Sequence, residues 1–284
     1  MHSSPLQETL CLIGQPVAGN PTQYMLEKAF AHHGLDWRYL TVEVPPEALA
    51  DAVRGIRALR FRGGNVTKPH KQAVVPLLDG LSDAAEVMGA VNCLHRQGDQ
   101  LWGENTDGKG FLESLRGVTE PAGKRVVLLG AGGAARAIAV ELAQAGVASI
   151  LVVNRTPSRG EDLATLVRDK LGVATQFAAW GESFALPPES DVIINATSVG
   201  LNDATAIVPV DWTSAREGGE VVVADVIASP PNTRFLAEAR DRGHRALDGV
   251  GMIVNQAAIA FRLWTGIEPE RAVLREAVEE FVEL

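Results

Sequence analysis

The chain has 284 residues, of which 46% are hydrophobic and 21% charged, enough apolar material for ordinary globular cores and too little charge bias for broad disorder. That length favours about two domains. A formal net charge of -9 argues against nucleic acid as the main partner, so an anionic ligand needs local donors against the overall field.

The first third alternates strand-like and helix-like pieces. Leu10-Cys11-Leu12-Ile13-Gly14 reads as a buried strand ending at a glycine, and Tyr24 to His33 as a helix closed by Gly34. Trp37 to Val44 alternates like a half-buried strand, stopped by Pro45 and Pro46, after which Glu47 to Leu59 reads as a helix. Phe61 to Val66 resembles a strand end with tight backbone. This β-α-β-α order favours a largely parallel sheet.

The middle begins at Lys124. Arg125-Val126-Val127-Leu128-Leu129 is a continuous apolar strand, followed at once by Gly130-Ala131-Gly132-Gly133-Ala134-Ala135 and a helix to about Ala145, with Gly146 placed as its cap. Further strands are expected at Ser149–Val153, Asp191–Ile194 and Glu220–Ala224. The last forty residues read as helical, with Met252, Ile253, Gln256, Ala257, Ala260 and Phe261 at helix spacing, a break at Gly266, and Pro269 in the first turn of a final helix through Glu283. That segment offers no strand to a nucleotide domain and is expected to fold back on the first one.

Cys11 and Cys93 are too few for a disulfide framework or a structural zinc site and read as buried small side chains. Residues Met1 to Gln7 lack a basic region followed by an apolar core, so no signal peptide is expected. No uninterrupted apolar run reaches the roughly 18 residues of a membrane span. A soluble cytoplasmic protein with no nucleic-acid and no membrane partner is the expectation.

The glycine loop has the context a dinucleotide site requires: a strand before, a helix after, and a second strand at the right distance. Gly130 permits the tight turn, Gly132 lets backbone approach a pyrophosphate, and Ala135 is small enough for helix–strand packing. Backbone N–H groups at the helix start hold phosphates. The end of the second strand carries Asn154-Arg155-Thr156, with Arg159 close behind and no carboxylate. An arginine pairs with a ribose 2′-phosphate that a carboxylate would repel, so the cofactor reads as NADP.

Two other stretches, Asn65-Val66-Thr67-Lys68-Pro69-His70-Lys71 and Gly103-Glu104-Asn105-Thr106-Asp107, each set amides and hydroxyls beside an ionisable residue. Together they offer a lysine and an aspartate for a polar substrate. Reduction of a ketone needs a group that stabilises developing alkoxide charge and supplies a proton, which a lysine ammonium does. An acid/base pair followed by a dinucleotide loop points to an oxidoreductase acting on an alcohol or a ketone.

These two stretches and Gly89-Ala90-Val91-Asn92, the glycine loop, Asn154-Arg155-Thr156, Asn195-Ala196-Thr197-Ser198-Val199-Gly200 and Gln256-Ala257-Ala258 occur in one order along the chain. In that order they resemble the shikimate dehydrogenase family over nearly the whole length. The resemblance implies a two-domain α/β enzyme: residues 1–107 an α/β substrate-binding domain, 108–245 a Rossmann-type NADP domain, and 246–284 helices returning to the first. It implies interconversion of 3-dehydroshikimate and shikimate, in aromatic amino-acid biosynthesis, by a monomer or homodimer. Lys71 matches the catalytic lysine and Asp107 its paired aspartate. Thr67, Asn92, Asn105 and Gln256 match positions that hold substrate hydroxyls. The cofactor positions are Gly130, Ala131, Gly132, Gly133, Ala134, Asn154, Arg155, Thr156, Arg159, Asn195, Ala196, Thr197, Val226, Gly249 and Met252. No metal is implied, and Lys68, His70 and the other histidines carry no assigned role.

Two departures touch the substrate end. The family's two serines for the substrate carboxylate are replaced by Asn20 and Thr22, which still donate hydrogen bonds with different reach. A family tyrosine is replaced by Ala228, before Ser229-Pro230. The substrate is therefore shikimate, a close cyclic hydroxy acid, or another compound such as quinate or an aminated analogue. A non-catalytic NADP-binding sensor is the alternative of a different class, one that would have no need of Lys71 and Asp107.

Overall fold

The structure, a computed structural model, describes residues 6–216 and 221–281. In chain order the first elements are β1 (Thr9–Gly14), α1 (Thr22–His32), β2 (Arg38–Glu43), α2 (Leu49–Ala58), β3 (Gly63–Val66), α3 (His70–Ala73), β4 (Gly80–Leu81), α4 (Asp83–Met88), β5 (Cys93–Gln97), β6 (Gln100–Glu104) and α5 (Thr106–Arg116). Next come β7 (Arg125–Leu129), α6 (Gly133–Gln144), β8 (Ser149–Asn154), α7 (Pro157–Leu171), β9 (Ala174–Ala179), β10 (Phe184–Ala185), β11 (Val192–Asn195), β12 (Val210–Asp211), β13 (Val222–Asp225), α8 (Arg234–Asp241) and β14 (Arg245–Leu247). Two helices, α9 (Val250–Thr265) and α10 (Arg271–Phe281), follow. Contacts divide the chain into two units, Met1–Thr106 with Gln256–Leu284, and Asp107–Asn255. Among the described residues no helix is long and apolar enough to cross a membrane.

The first unit is built on a sheet ordered β2-β1-β3-β5-β6-β4. β1 pairs parallel with β2 and β3, and β4 pairs parallel with β6. β5, however, runs antiparallel to both β3 and β6. The largely parallel sheet expected from the β-α-β-α order is therefore mixed. Its cause is a hairpin: Gln97 pairs with Gln100, so only Gly98 and Asp99 join β5 to β6, a connection open to antiparallel strands alone. β2 corrects a second expectation. It is an edge strand on which Tyr39 is buried while Leu40 and Val42 stay 45% and 41% exposed, so it is not half-buried by alternation.

The returning helices complete this unit. Phe261 of α9 stacks on Phe30 of α1 with ring centroids 5.4 Å apart, and Trp264 donates its Nε1–H to the Leu94 carbonyl at 2.8 Å. Tyr24 of α1 meets α10 through Phe281, at 5.9 Å between rings, and Glu280, at 2.7 Å. α10 begins at Arg271, two residues beyond the proline expected in its first turn, and the expected end at Glu283 lies outside the described residues. The last forty residues are not wholly helical as expected: they open with β14, and residues up to Asn255 belong to the second unit.

The second unit is a fully parallel sheet ordered β14-β13-β11-β7-β8-β9. Its central strand shows why 125–129 reads as an unbroken apolar run. Val126 and Leu128 enter one core with Ile138 and Leu142, while Val127 and Leu129 enter another with Ile193 and Phe235. A strand covered on both faces has no polar side. The strand expected from Glu220 is β13; Glu220 itself lies outside the described residues. At the opposite end of the strands from the glycine loop, Asp191 takes the Arg125 backbone N–H at 2.9 Å, the Arg125 Nε at 3.0 Å and Arg216 Nη2 at 2.9 Å. Burial pushes its carboxyl up, but these bonds together hold it well below the usual carboxylate range.

Candidate active site

In the first unit the sequence-predicted residues gather at the carboxyl ends of β1 and β3, where ligands of parallel α/β sheets are bound. The loops leaving the two strands are tied together: Gln15 N–H donates to the Lys68 carbonyl at 2.8 Å, and Thr67 N–H to the Ile13 carbonyl at 2.9 Å. A Cβ on Gly14 would stand 2.3 Å from Thr67 Cγ2, so only glycine lets them approach this closely. On the first loop, Asn20 accepts the Thr22 N–H on its Oδ1 at 2.9 Å, which leads the chain into α1. Lys71 lies in the single turn of α3 and is partly buried. Its carbonyl accepts the Val91 N–H at 2.7 Å, which binds α3 to the segment carrying Asn92. His70 is buried and gives Nε2–H to the Val44 carbonyl at 2.6 Å, a structural use of the ring.

Asn92, Asn105 and Gln256 are brought together around Thr106, to which the family resemblance assigns no role. Thr106 is 0% exposed; it donates its N–H to Asn92 Oδ1 at 2.7 Å, accepts Asn92 Nδ2–H on its hydroxyl at 3.0 Å, and lies 3.3 Å from Gln256 Oε1, to which it donates. Asn105 donates Nδ2–H to the Ala90 carbonyl at 3.1 Å. Behind these, Tyr39 donates to Asn65 Oδ1 at 2.7 Å and Asn65 donates to the Asn92 carbonyl at 3.2 Å. The signal for Thr106 was its place between two named residues, Asn105 and Asp107. Amide-rich sites held this rigidly suit a ligand with several hydroxyls, because an analogue lacking one leaves a donor or acceptor unpaired.

In the second unit Asp107 sits in the first turn of α5 and is partly buried. The glycine loop follows β7. Gly130 takes φ +110, and a Cβ there would stand 2.9 Å from the Ala196 carbonyl oxygen. Ala131 and Ala134 are partly buried, whereas Gly132 and Gly133 are exposed with open space where a Cβ would project. No side chain caps α6 at Gly132, which leaves its first N–H groups for an external acceptor. Ala135 is buried in the core under the helix. After β8, Asn154 donates to the Thr156 carbonyl at 2.9 Å. Arg155 and Arg159 are exposed, and neither is in an ion pair among the described residues. Uncapped N–H groups beside exposed glycines, with two unpaired guanidiniums after the next strand, fit a dinucleotide with an extra phosphate.

The loop after β11 is held in shape from within. Asn195 is fully buried and turns inward, donating to Asp225 Oδ1 at 3.0 Å and the Val199 carbonyl at 3.2 Å while accepting the Thr197 hydroxyl at 2.7 Å. It shapes the loop, leaving Thr197 and the Ala196 backbone nearer the surface. Burial raises the Asp225 carboxyl against the opposing bonds from Thr233, the Ile227 N–H and Asn195. Val226 and Ala228 follow β13 and are partly buried. Gly249 packs against that strand end, where a Cβ would stand 2.4 Å from the Val226 carbonyl oxygen. Met252, on the first turn of α9, is partly buried against the core.

Three family models cover the chain in succession. Residues 12–94 match the shikimate dehydrogenase substrate binding domain, 114–240 the shikimate/quinate 5-dehydrogenase, and 249–279 the shikimate 5′-dehydrogenase C-terminal domain. A shikimate dehydrogenase (NADP(+)) of Geobacter metallireducens is 43% identical over 276 residues, 95% of each chain. The chain belongs to the shikimate dehydrogenase family. This family member is also similar to the ligand-free 5-ketofructose reductase of Gluconobacter sp. strain CHM43, at 48% identity and TM-score 0.94 over 98% of this chain and 99% of that one. The shikimate 5-dehydrogenase of Thermus thermophilus, in complex with NADP(H) and shikimate, is 36% identical with TM-score 0.83 over 97% of this chain and all of the other.

Proposed function

We propose that this shikimate dehydrogenase family member is an NADP-dependent oxidoreductase that interconverts a ketone and a secondary alcohol on a small polyhydroxylated compound, with 3-dehydroshikimate and shikimate as the first pair to test. The observation that carries the reading is the frame of Asn92, Thr106 and Gln256, with Lys71 tied to the same segment through Val91. Bound NADPH supplies the hydride. Lys71 donates a proton from Nζ to the oxygen on which negative charge develops, with Asp107 as its paired carboxylate. Thr67, Asn92, Asn105 and Gln256 orient the substrate hydroxyls. Gly130 to Ala134 hold the pyrophosphate, and Arg155 with Arg159 hold the 2′-phosphate. We assign the reaction to the cytoplasm and, for the acid substrate, to aromatic amino-acid biosynthesis.

Replacing Lys71 tests the assignment. Lys71→Ala lowers turnover by at least about 100-fold, the low end for general acid–base assistance. NADPH binding, read by fluorescence titration, stays unchanged. A variant with near-normal turnover removes Lys71 from the mechanism.

A second reading rests on a specific observation. Asn20 and Thr22 stand where the family has its carboxylate-binding serines, and the Gluconobacter enzyme, 48% identical, is named for a ketose that carries no carboxylate. An uncharged polyhydroxy ketone is therefore the alternative substrate. Under this reading Asn20→Ser with Thr22→Ser raises kcat/KM for shikimate about 10-fold, the scale of one net hydrogen bond. Efficient use of shikimate by the unaltered enzyme, only impaired by the double change, sinks it.

A further inference from the structure

Glu104, the last residue of β6, is a carboxylate only 7% exposed and has no part in the chemistry above. Its Oε1 accepts two hydrogen bonds, from the Ser82 hydroxyl at 2.6 Å and from the Asn105 backbone N–H at 2.7 Å. Ser82 is at the same time the N-cap of α4, accepting the Ala85 N–H on its hydroxyl oxygen at 3.3 Å. Its own N–H donates to the Gly103 carbonyl at 3.0 Å. α4 ends at Gly89 in a left-handed cap, and the next residue, Ala90, offers the carbonyl that takes the Asn105 side-chain amide at 3.1 Å. The connections close a ring from Glu104 through Ser82, α4 and Ala90 to the Asn105 carboxamide and back through the Asn105 N–H.

A buried carboxylate is costly unless its oxygens are used, so its place calls for a reason. Here it pins Asn105 at the backbone, while the Ala90 carbonyl, just beyond the helix that Ser82 caps, pins the same residue at the side chain. Two fixed points set the plane of the carboxamide and which edge it presents. We infer that Glu104 is a positioning residue, acting with Ser82 to orient Asn105 toward a substrate hydroxyl. This rests on the reading that Asn105 binds substrate.

The test is steady-state kinetics of the full-length enzyme with the ketone substrate and NADPH varied separately, for Asn105→Ala, Glu104→Ala, Glu104→Gln and the Asn105→Ala/Glu104→Ala pair. Glu104→Ala is expected to raise the substrate KM about 10-fold, the effect of one net hydrogen bond, with the NADPH KM within about twofold. Glu104→Gln, whose amide oxygen accepts the same two donors, restores the substrate KM to within about threefold. Adding Glu104→Ala to Asn105→Ala produces no further rise, since the two act through one contact. The inference is overturned by an unchanged substrate KM in Glu104→Ala, by equal rises for substrate and NADPH, or by full additivity in the pair. If Glu104→Ala fails to fold, Ser82→Ala takes its place: a selective rise of about threefold supports the inference and an unchanged KM overturns it. An Asn105→Ala enzyme with unaltered substrate KM defeats the underlying reading itself, and is told apart because that variant leaves Glu104 intact.

Discussion

In the unit built on β1 to β6, the groups assigned to the substrate are side chains, and several are held by another polar group: Asn92 and Gln256 by Thr106, Asn105 by the Ala90 carbonyl, Asn20 by the Thr22 N–H. In the unit built on β7 to β14, the phosphates of the cofactor are assigned to backbone N–H groups and two exposed guanidiniums, and much of the shaping comes from missing side chains at Gly130, Gly132 and Gly133. The contrast teaches where each site is fragile. A side-chain site fails when its supporting layer is removed, whereas a backbone site fails when a Cβ is added.

The sharpest way to probe the second kind of site is through its charged side chains. Arg155→Ala weakens NADP binding by about 1.5–3 kcal/mol, the range for hydrogen bonds to a charged group, and leaves NAD binding nearly unchanged. Calorimetric titration with both cofactors reads this directly; equal losses for the two would break the assignment of Arg155 to the 2′-phosphate.

Adding a methyl group at two positions of the glycine loop separates fold from ligand. Gly130→Ala forces a Cβ onto a residue at φ +110 facing the Ala196 carbonyl, and costs about 1–3 kcal/mol of stability. Gly132→Ala meets open space in an extended conformation, so thermal stability stays within about 0.5 kcal/mol while NADP binding weakens. If Gly132→Ala binds NADP normally, backbone approach at that residue is not how the phosphates are held.

A smaller effect concerns Asp191, at the opposite end of the second unit's strands from the glycine loop. Its folded-state carboxyl is held below the ordinary value by Arg125 and Arg216, so the stability it adds is present above the ordinary carboxylate pKa and is lost as pH falls through the folded one. Asp191→Asn therefore costs about 1–2 kcal/mol at neutral pH, toward the low side because both guanidiniums are partly in solvent. Denaturant melts of the two proteins converge in acid. A difference of the same size at both pH values would show that charge is not what Asp191 contributes.

Much of the second unit was legible because its physics is local. Val126 to Leu129 is apolar throughout since both faces are covered, and Gly130 to Ala135 marks a turn, a phosphate approach and a packing position within six residues. The first unit was harder to read. Cys93 to Gln97 neither alternates nor runs apolar, so the β5–β6 hairpin that turns the sheet mixed gave little periodic signal. Leu40 and Val42 are apolar on an edge strand where they remain in solvent. β14 is three residues long and exists by pairing with β13. In the sites, residue types marked Lys71, Asp107 and the asparagines. The inward turn of Asn195 and the roles of Thr106 and Glu104 depend on which groups the fold places beside them, which spacing does not convey.

The proposed reaction needs both kinds of site. Following NADPH absorbance with purified enzyme and either 3-dehydroshikimate or an uncharged polyhydroxy ketone, with NADH in parallel, tests it most directly. The prediction is consumption of NADPH with at least one of the two ketones, at a kcat/KM at least about 10-fold above that with NADH, as expected for one charged contact to the 2′-phosphate. Tight NADPH binding with no oxidation by either ketone would contradict the account and leave a nucleotide-binding protein without the chemistry.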